Sequence, residues 1–217
     1  MKNIEILYED DNIMVINKPA GLAVQGGKGV KTSLDAILTE LRTPAPLLVH
    51  RLDKDTSGVL LTAKGRENAA RFSRLLNSAK IKKQYIAICA GLPKNEKGVI
   101  TDKLLIHGNL KTSETRYKVL KTSVFTEESL EYSALELELG TGRMHQIRRH
   151  LAMIGNPILG DDKYGDFALN KKLHKNVGLK RLLLHASRLI IKDDVNVDIQ
   201  APLPEYFIRF YDKDNGQ

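Results

Sequence analysis

Tryptophan is absent from the 217 residues, and aromatic residues make up only 6% of them. A dense platform of base-stacking rings is therefore not expected, although a few aromatics in specific jobs would fit. There is one cysteine, Cys89, which excludes an intramolecular disulfide and a cysteine-rich zinc site. Cys89 reads as a small buried hydrophobe in a strand. No apolar run reaches the length of about 18 residues that a membrane helix needs. The first residues, Met1-Lys2-Asn3-Ile4-Glu5, lack the apolar region of a signal peptide. A cytoplasmic location fits these absences. Acidic residues are also few relative to basic ones: 26 Asp and Glu stand against 34 Lys and Arg, a net charge of +8.

Basic excess favours a polyanionic partner through counterion release. A merely basic soluble enzyme would show the same balance, so location matters. Lys171, Lys172, Lys175, Lys180 and Arg181 fall in a stretch without an acid, and Lys80, Lys82 and Lys83 form a second cluster. With 42% hydrophobic and 28% charged residues, the chain can bury a full core.

No repeat and no internal linker stands out, so one domain over residues 1–217 is expected. Short strands are expected at Ile4–Tyr8 and Ile13–Ile16, followed by a break at Lys18-Pro19-Ala20-Gly21. Ser33 is placed to cap a helix with Leu34, Ile37, Leu38 and Leu41 on one face. Leu47–Leu52 and Val59–Ala63 are apolar runs. Glu67–Ala79 has helical spacing at Ala69, Phe72, Leu76 and Ala79. Further strands are expected at Tyr85–Cys89, Thr115–Leu120, Leu182–Ala186 and Leu189–Ile191. Tyr132–Leu139 alternates, with Leu135, Leu137 and Leu139 on one side. His145–Ile154 reads as an amphipathic helix with Ile147, Leu151 and Ile154 inward, stopped by Gly155 and Pro157. A short helix follows Pro204. Many strands and few helices, not strictly alternating, argue an α+β fold.

Two segments concentrate chemistry. In Val49–Leu61 an apolar strand delivers the chain into His50-Arg51-Leu52-Asp53-Lys54-Asp55-Thr56-Ser57-Gly58, and a second apolar strand takes it away. A loop on a rigid scaffold is where reactive groups often sit. An Asp after a buried strand can be partly desolvated, and a nearby Arg can keep it ionised, which suits a nucleophile or base. Equally, Asp53 and Asp55 could simply bind backbone N–H groups in a turn. The second segment, Leu139–His150, passes through Gly-Thr-Gly into a helix start rich in arginine, where an anion such as a phosphate is favoured. A solvated basic helix face reads the same way. His145 and His150 are spaced wrongly for a zinc helix. No phosphate-binding Gly-x-x-x-x-Gly-Lys string and no Gly-x-Ser-x-Gly elbow occurs. Asp53 and Asp55 as a glycosidase-like pair have little support.

The segment His50–Gly58 resembles the signature loop of the A-type family of ribosomal large-subunit pseudouridine synthases. Lys83-Gln84-Tyr85-Ile86-Ala87, Thr141–Arg148 and Leu184-His185-Ala186 agree with further blocks of that family, in its order. Gly155–Ile158 and Gly160–Gly165 complete the third block, and the likeness runs from about Leu7 to Phe210. Gly21–Gly27 and Lys111–Tyr117 are most similar to the C branch of that family.

This resemblance implies an α+β catalytic domain around a long, mostly antiparallel mixed sheet with an RNA cleft. It implies isomerisation of uridine in RNA to its C-glycoside, without metal or cofactor. It makes Asp53 the essential aspartate, as nucleophile or base. Arg143 becomes the arginine that pairs with it, Tyr85 the ring that stacks on the target base, and Leu184 an apolar residue beneath that ring. Arg51 would enter the space left by the flipped nucleotide, and Gln146 and Arg148 are expected at the substrate. Flipping is physically required, because C1′ and the base must both be reached. Ribosomal RNA is the expected partner, with transfer RNA or a noncatalytic RNA-binding role as alternatives, and the protein is expected to be a monomer. Many members carry an N-terminal RNA-binding module, for which the residues before the first strand leave no room.

Overall fold

A computed structural model describes residues 4–106, 109–125, 129–194 and 196–211 of the chain. In chain order the elements are β1 (Glu5–Glu9), β2 (Ile13–Lys18), α1 (Leu34–Leu41), β3 (Leu47–Leu48), β4 (Ser57–Ala63), α2 (Gly65–Leu75) and β5 (Ile81–Ala90). They continue with β6 (Lys97–Ile106), β7 (Asn109–Phe125), β8 (Leu130–Leu139), α3 (Gln146–Met153), α4 (Phe167–Val177), β9 (Leu184–Lys192), β10 (Asn196–Gln200) and α5 (Glu205–Tyr211). The fold is α+β, as expected. Two compact units can be distinguished: the described residues of Met1–Lys83 with Ala186–Pro202, and those of Gln84–His185 with Leu203–Gln217. The chain passes between them within β5, within β9 and a third time after Pro202.

In the first unit β2 pairs antiparallel with both β1 and β4, and β3 pairs with the far end of β4. β10 folds back antiparallel on β9. Every residue of β4 is buried, so this strand is covered on both faces and reads as an apolar run rather than an alternation. Ile13 and Val15 of β2 share one face with Val59, Leu61 and Ala63 of β4, as period-two geometry demands. Phe72 and Leu76 from the α2 segment and Leu189 and Ile191 of β9 close this core. The helix expected to reach Ala79 ends at Leu75, where the backbone turns through Asn77 and Ser78, and Ala79 is exposed. Ser33 does occupy the N-cap of α1, but its hydroxyl bonds the Asp35 carboxylate instead of a backbone N–H.

In the second unit β5, β8, β7 and β6 form an antiparallel ladder. Tyr85 stands opposite Leu137, and Glu138 opposite Arg116. Leu135 and Leu137 are buried with half-buried Glu136 and Glu138 between and after them, but Tyr132–Leu135 are all buried and Leu139 is half-buried, so the alternation expected over Tyr132–Leu139 holds only in its middle. β7 runs for 17 residues, far past the expected Thr115–Leu120. β6, β10 and α4 are additional elements. The α3 helix stops at Met153, one residue short of expectation. Ile147 and Leu151 are buried, but Ile154 is 36% exposed because Gly155, at φ 80°, turns the chain away. Asp166 caps α4 by accepting from the Leu169 N–H at 2.9 Å, and Gly178, left-handed at φ 69°, ends it. Leu173 and Val177 bury the inner side of α4, while Lys171, Lys172 and Lys175 stay exposed.

Candidate active site

In the first unit, Leu52 is buried and plants the chain immediately before Asp53, which is half-buried. Asp53 opens a tight turn: its carbonyl accepts from the Thr56 N–H at 3.2 Å. The turn is clamped from behind by Lys18, at the end of β2. This lysine is 0% exposed, and its ammonium donates to the carbonyls of Pro19 (2.9 Å), Leu22 (2.9 Å) and Lys54 (3.0 Å). The Gly21 N–H also donates to the Lys54 carbonyl, at 2.8 Å. A buried ammonium must be fully paired to be tolerated, so Lys18 ties the Pro19–Leu22 break and the Asp53 turn into one rigid piece. From the sequence, Lys18-Pro19-Ala20-Gly21 shows only a break in the pattern.

The exit from the turn is equally constrained. Gly58 has φ 107°, and a Cβ there would lie 2.1 Å from the Ala186 carbonyl oxygen. Only glycine lets the start of β4 lie against β9 here. The Gly that closes the His50–Gly58 segment and the Ala of Leu184-His185-Ala186 are therefore two sides of one backbone contact.

His50 accepts a hydrogen bond at Nε2 from the Leu61 N–H, 2.9 Å away. Burial, and secondarily the Lys83 ammonium, push its pKa down to about 3. The ring is thus neutral with its proton on Nδ1 and acts as a brace between the two ends of the loop. Burial also lowers the pKa of Lys83. Arg51, two residues before Asp53, is exposed.

In the second unit, Tyr85 on β5 is 6% exposed and Leu184 is buried. The Ile88 N–H donates to the Leu183 carbonyl at 3.1 Å, so Leu184 lies on a strand beside the one that carries Tyr85. Arg143 sits in the loop between β8 and α3. The Gln146 side chain makes four of the bonds that hold that loop. Its Oε1 accepts from the Arg143 N–H (3.1 Å) and the Thr141 hydroxyl (2.7 Å). Its Nε2 donates to the Glu114 carbonyl (2.8 Å) and the Thr115 hydroxyl (3.1 Å) of β7. His145 completes the loop in the left-handed region, at φ 52°, a conformation that costs a side-chain-bearing residue energy and concentrates at functional sites. The Nε of Arg143 is buried and makes no hydrogen bond among the described residues. Such an orphan donor costs about 1–3 kcal/mol, which fits a guanidinium kept for a ligand.

Gln146 and Arg148, expected at the substrate, are committed inside the protein. Arg148 is buried and holds Asp161 by two bonds of 2.7 Å from Nε and Nη2, with Asp162 at 2.9 Å. Burial alone would raise the Asp161 pKa, but Arg148 and the N–H groups of Tyr164 and Lys163 hold it below the usual carboxylate value. The Arg148 guanidinium also lies 5.4 Å from the centre of the Tyr164 ring, whose hydroxyl is 3.2 Å from His145 Nδ1. Deeper still, His150 bridges the hydroxyls of Ser113 and Thr115, each at 2.9 Å. These groups tie the arginine loop to β7 and to the Asp161 turn.

Among the described residues no three His, Cys, Asp or Glu side chains gather as a metal site, and no helix is long and apolar enough to cross a membrane. Cys89 is fully buried on β5.

The family described as RNA pseudouridylate synthase matches residues 12–153, a span that includes Asp53, Tyr85, Arg143, Gln146 and Arg148. The chain is 36% identical over 221 residues to the ribosomal large subunit pseudouridine synthase C of Rickettsia bellii (strain RML369-C), covering 94% of this chain and 70% of that protein. It is 37% identical over 212 residues to the protein of the same name from Vibrio parahaemolyticus serotype O3:K6 (strain RIMD 2210633), covering 91% of this chain and 65% of the relative. The chain thus spans about two thirds of the length of these relatives. Among solved structures, Human RNA Pseudouridylate Synthase Domain Containing 4 superposes with a TM-score of 0.78 at 29% identity, covering 94% of this chain and 90% of that one.

Proposed function

The chain belongs to the RNA pseudouridylate synthase family, and from that premise we propose that it isomerises uridine to pseudouridine in ribosomal RNA, with Asp53 as the reacting carboxylate. The relatives named for the ribosomal large subunit support the choice of RNA. The single observation that carries the role of Asp53 is its setting. It follows buried Leu52 on a turn made rigid by Lys18 and Gly58, inside the segment that the family likeness marks.

The reaction conserves every atom. The N1–C1′ bond breaks, the uracil turns within the site, C5 bonds to C1′, and the proton lost from C5 is balanced by one gained at N1. A carboxylate can serve this either by attacking the sugar or by removing a proton from it. Both routes need the uridine extruded from its stack. Arg51, exposed beside Asp53, is suited to fill the vacated space. Tyr85 offers a ring on which the extruded base stacks, a contact worth about 1–3 kcal/mol. Leu184 offers apolar surface, and Arg143 a guanidinium with an unspent Nε donor. The net charge of +8 supplies the general attraction to phosphate.

Pseudouridine mapping of total RNA from cells with and without the protein tests the reading. The expected result is loss of specific pseudouridines from ribosomal RNA, with RNA mass unchanged on modification. Loss confined to transfer RNA would assign the same chemistry to another substrate, and an unchanged map would refute the proposal.

A further inference from the structure

The first unit contains a cavity of about 730 Å3 that the isomerisation does not use. We propose that it holds a second, unpaired base of the RNA substrate, a guanine, near the target uridine. The proposal rests on RNA being the substrate and adds a specificity site to that reading.

The cavity is preformed. Its wall is the closed loop from Gly21 to Ser33, whose stem is pinned by the Leu34 N–H to the Ala23 carbonyl (2.8 Å) and the Asp35 N–H to the Val24 carbonyl (3.1 Å). The far side is α1. The Lys54 side chain completes the lining, and Lys54 is the residue after Asp53. Its carbonyl is the acceptor that Lys18 and Gly21 share, so one wall of the cavity is hydrogen-bonded directly to the Asp53 turn. A base seated here would register the RNA against the reacting carboxylate.

The lining specifies the occupant. Leu22, Val30, Ile37 and Leu41 supply apolar surface for the faces of a ring. Val30 is 37% exposed, an apolar side chain left uncovered at the mouth. Lys31 and Lys54 are the two cations of the lining, and cations beside a base site favour the phosphates of the same nucleotide. Glu40 is the carboxylate in the lining. A carboxylate accepts hydrogen bonds only. Among the bases, guanine presents two adjacent donors on its Watson–Crick edge, N1–H and the N2 amino group, which match the two carboxylate oxygens. Uracil offers a single N–H, and adenine and cytosine an amino group beside an acceptor that the carboxylate repels. Unpaired bases are read in this way, on an exposed edge with both faces covered. The volume lies within the range of about 300–1,000 Å3 typical of small-ligand sites.

Free guanine nucleotide presents the same edge as guanine in RNA, and two experiments on the whole chain separate them. First, GMP and UMP are titrated against the protein while the methyl resonances of Leu22, Ile37 and Leu41 are followed. GMP should shift them with an affinity about tenfold above that of UMP, and Glu40→Gln should erase most of that preference. Equal response to both nucleotides, or none, overturns the proposal. Second, Ile37→Trp puts an indole into the lining and obstructs the cavity. It should raise the concentration of ribosomal RNA giving half-maximal single-turnover conversion by about tenfold, with the saturating rate within about twofold of wild type. If GMP binds but Ile37→Trp leaves RNA dependence unchanged, the cavity takes free nucleotide and an RNA base is refuted. The titration needs no turnover. A chain that binds GMP here yet never forms pseudouridine would refute the catalytic reading alone.

Discussion

The turn that carries Asp53 and the loop that carries Arg143 are both irregular backbone, each gripped by one polar side chain, and they differ in what supports that grip. The Asp53 turn is fixed through main-chain atoms: three carbonyls gathered by the Lys18 ammonium, and a Gly58 whose missing Cβ lets β4 lie against Ala186. The Arg143 loop is fixed through side chains: the Gln146 amide on four partners, and Arg148 gripping Asp161. Main-chain fixing leaves few positions that matter for geometry, but each tolerates almost nothing. Side-chain fixing spreads the work over a network that can be weakened piece by piece. A carboxylate that reacts needs the first kind of support. An arginine that orients can be served by the second.

That contrast makes Gly58→Ala a severely damaging change. The new Cβ would meet backbone, which cannot swing aside, at a φ that L residues avoid. The expected loss is about 4 kcal/mol or more in urea unfolding. A loss below about 1 kcal/mol would mean that the turn is not fixed through Ala186.

Next is Arg148→Met, which leaves Asp161 buried without its partner. Breaking a buried pair costs about 3–5 kcal/mol. Because the folded Asp161 pKa is lowered, the pair's contribution is present above the unfolded value and is lost as pH falls through the folded one. The wild-type advantage over Arg148→Met should therefore shrink at strongly acid pH, and an advantage that persisted there would remove the ion pair from the account.

Gln146→Leu sharpens the comparison on the activity side. Stability should fall by only about 1–3 kcal/mol. The saturating single-turnover rate should fall about a hundredfold as the Arg143 loop loosens, with RNA affinity little changed. A loss of affinity at an unchanged rate would return Gln146 to the substrate-contacting role expected from the sequence.

His50 gives a smaller, pH-dependent effect. Its folded pKa of about 3 lies below the ordinary value near 6.5, so the unfolded chain binds the extra proton between the two. Stability should decline as pH falls through that window, by at most about 1.4 kcal/mol per pH unit from this residue. His50→Gln should flatten that part of the profile. An identical slope in both proteins would mean that His50 is not held neutral.

Smallest for the chemical step is neutralisation of Lys171, Lys172 and Lys175 together. For every phosphate that these lysines neutralise, the log–log salt slope of RNA binding should become shallower by about 0.7–0.9. An unchanged slope would make this side of α4 a solvated surface.

Legibility in the sequence divides along the same line. The His50–Gly58 segment is readable because a charged loop between two apolar runs leaves a local pattern. Lys18 is not. Nothing local tells a lysine in the break after a strand that it will be buried against three carbonyls, one of them 36 residues away. The α4 helix is hidden behind its own surface: Lys171, Lys172 and Lys175 read as a charge cluster, while Asp166, Leu173, Val177 and Gly178 are the cap, core and stop signals. Ile154 is expected inside because helical spacing continues through it, yet Gly155 ends the helix first. Gln146 and Arg148 are recognisable as parts of the motif, but the motif alone places them at the substrate. A polar residue in a functional motif looks the same from sequence whether it touches the ligand or braces the residue that does.

The central claim is that the main-chain-fixed turn exists to present one carboxylate. Single-turnover conversion of unmodified ribosomal RNA by Asp53→Asn tests it most directly, because that change keeps size and removes charge. The account predicts no pseudouridine formed while RNA affinity stays within about tenfold of wild type, since cations supply most of the binding. Product formation at the wild-type rate would contradict it.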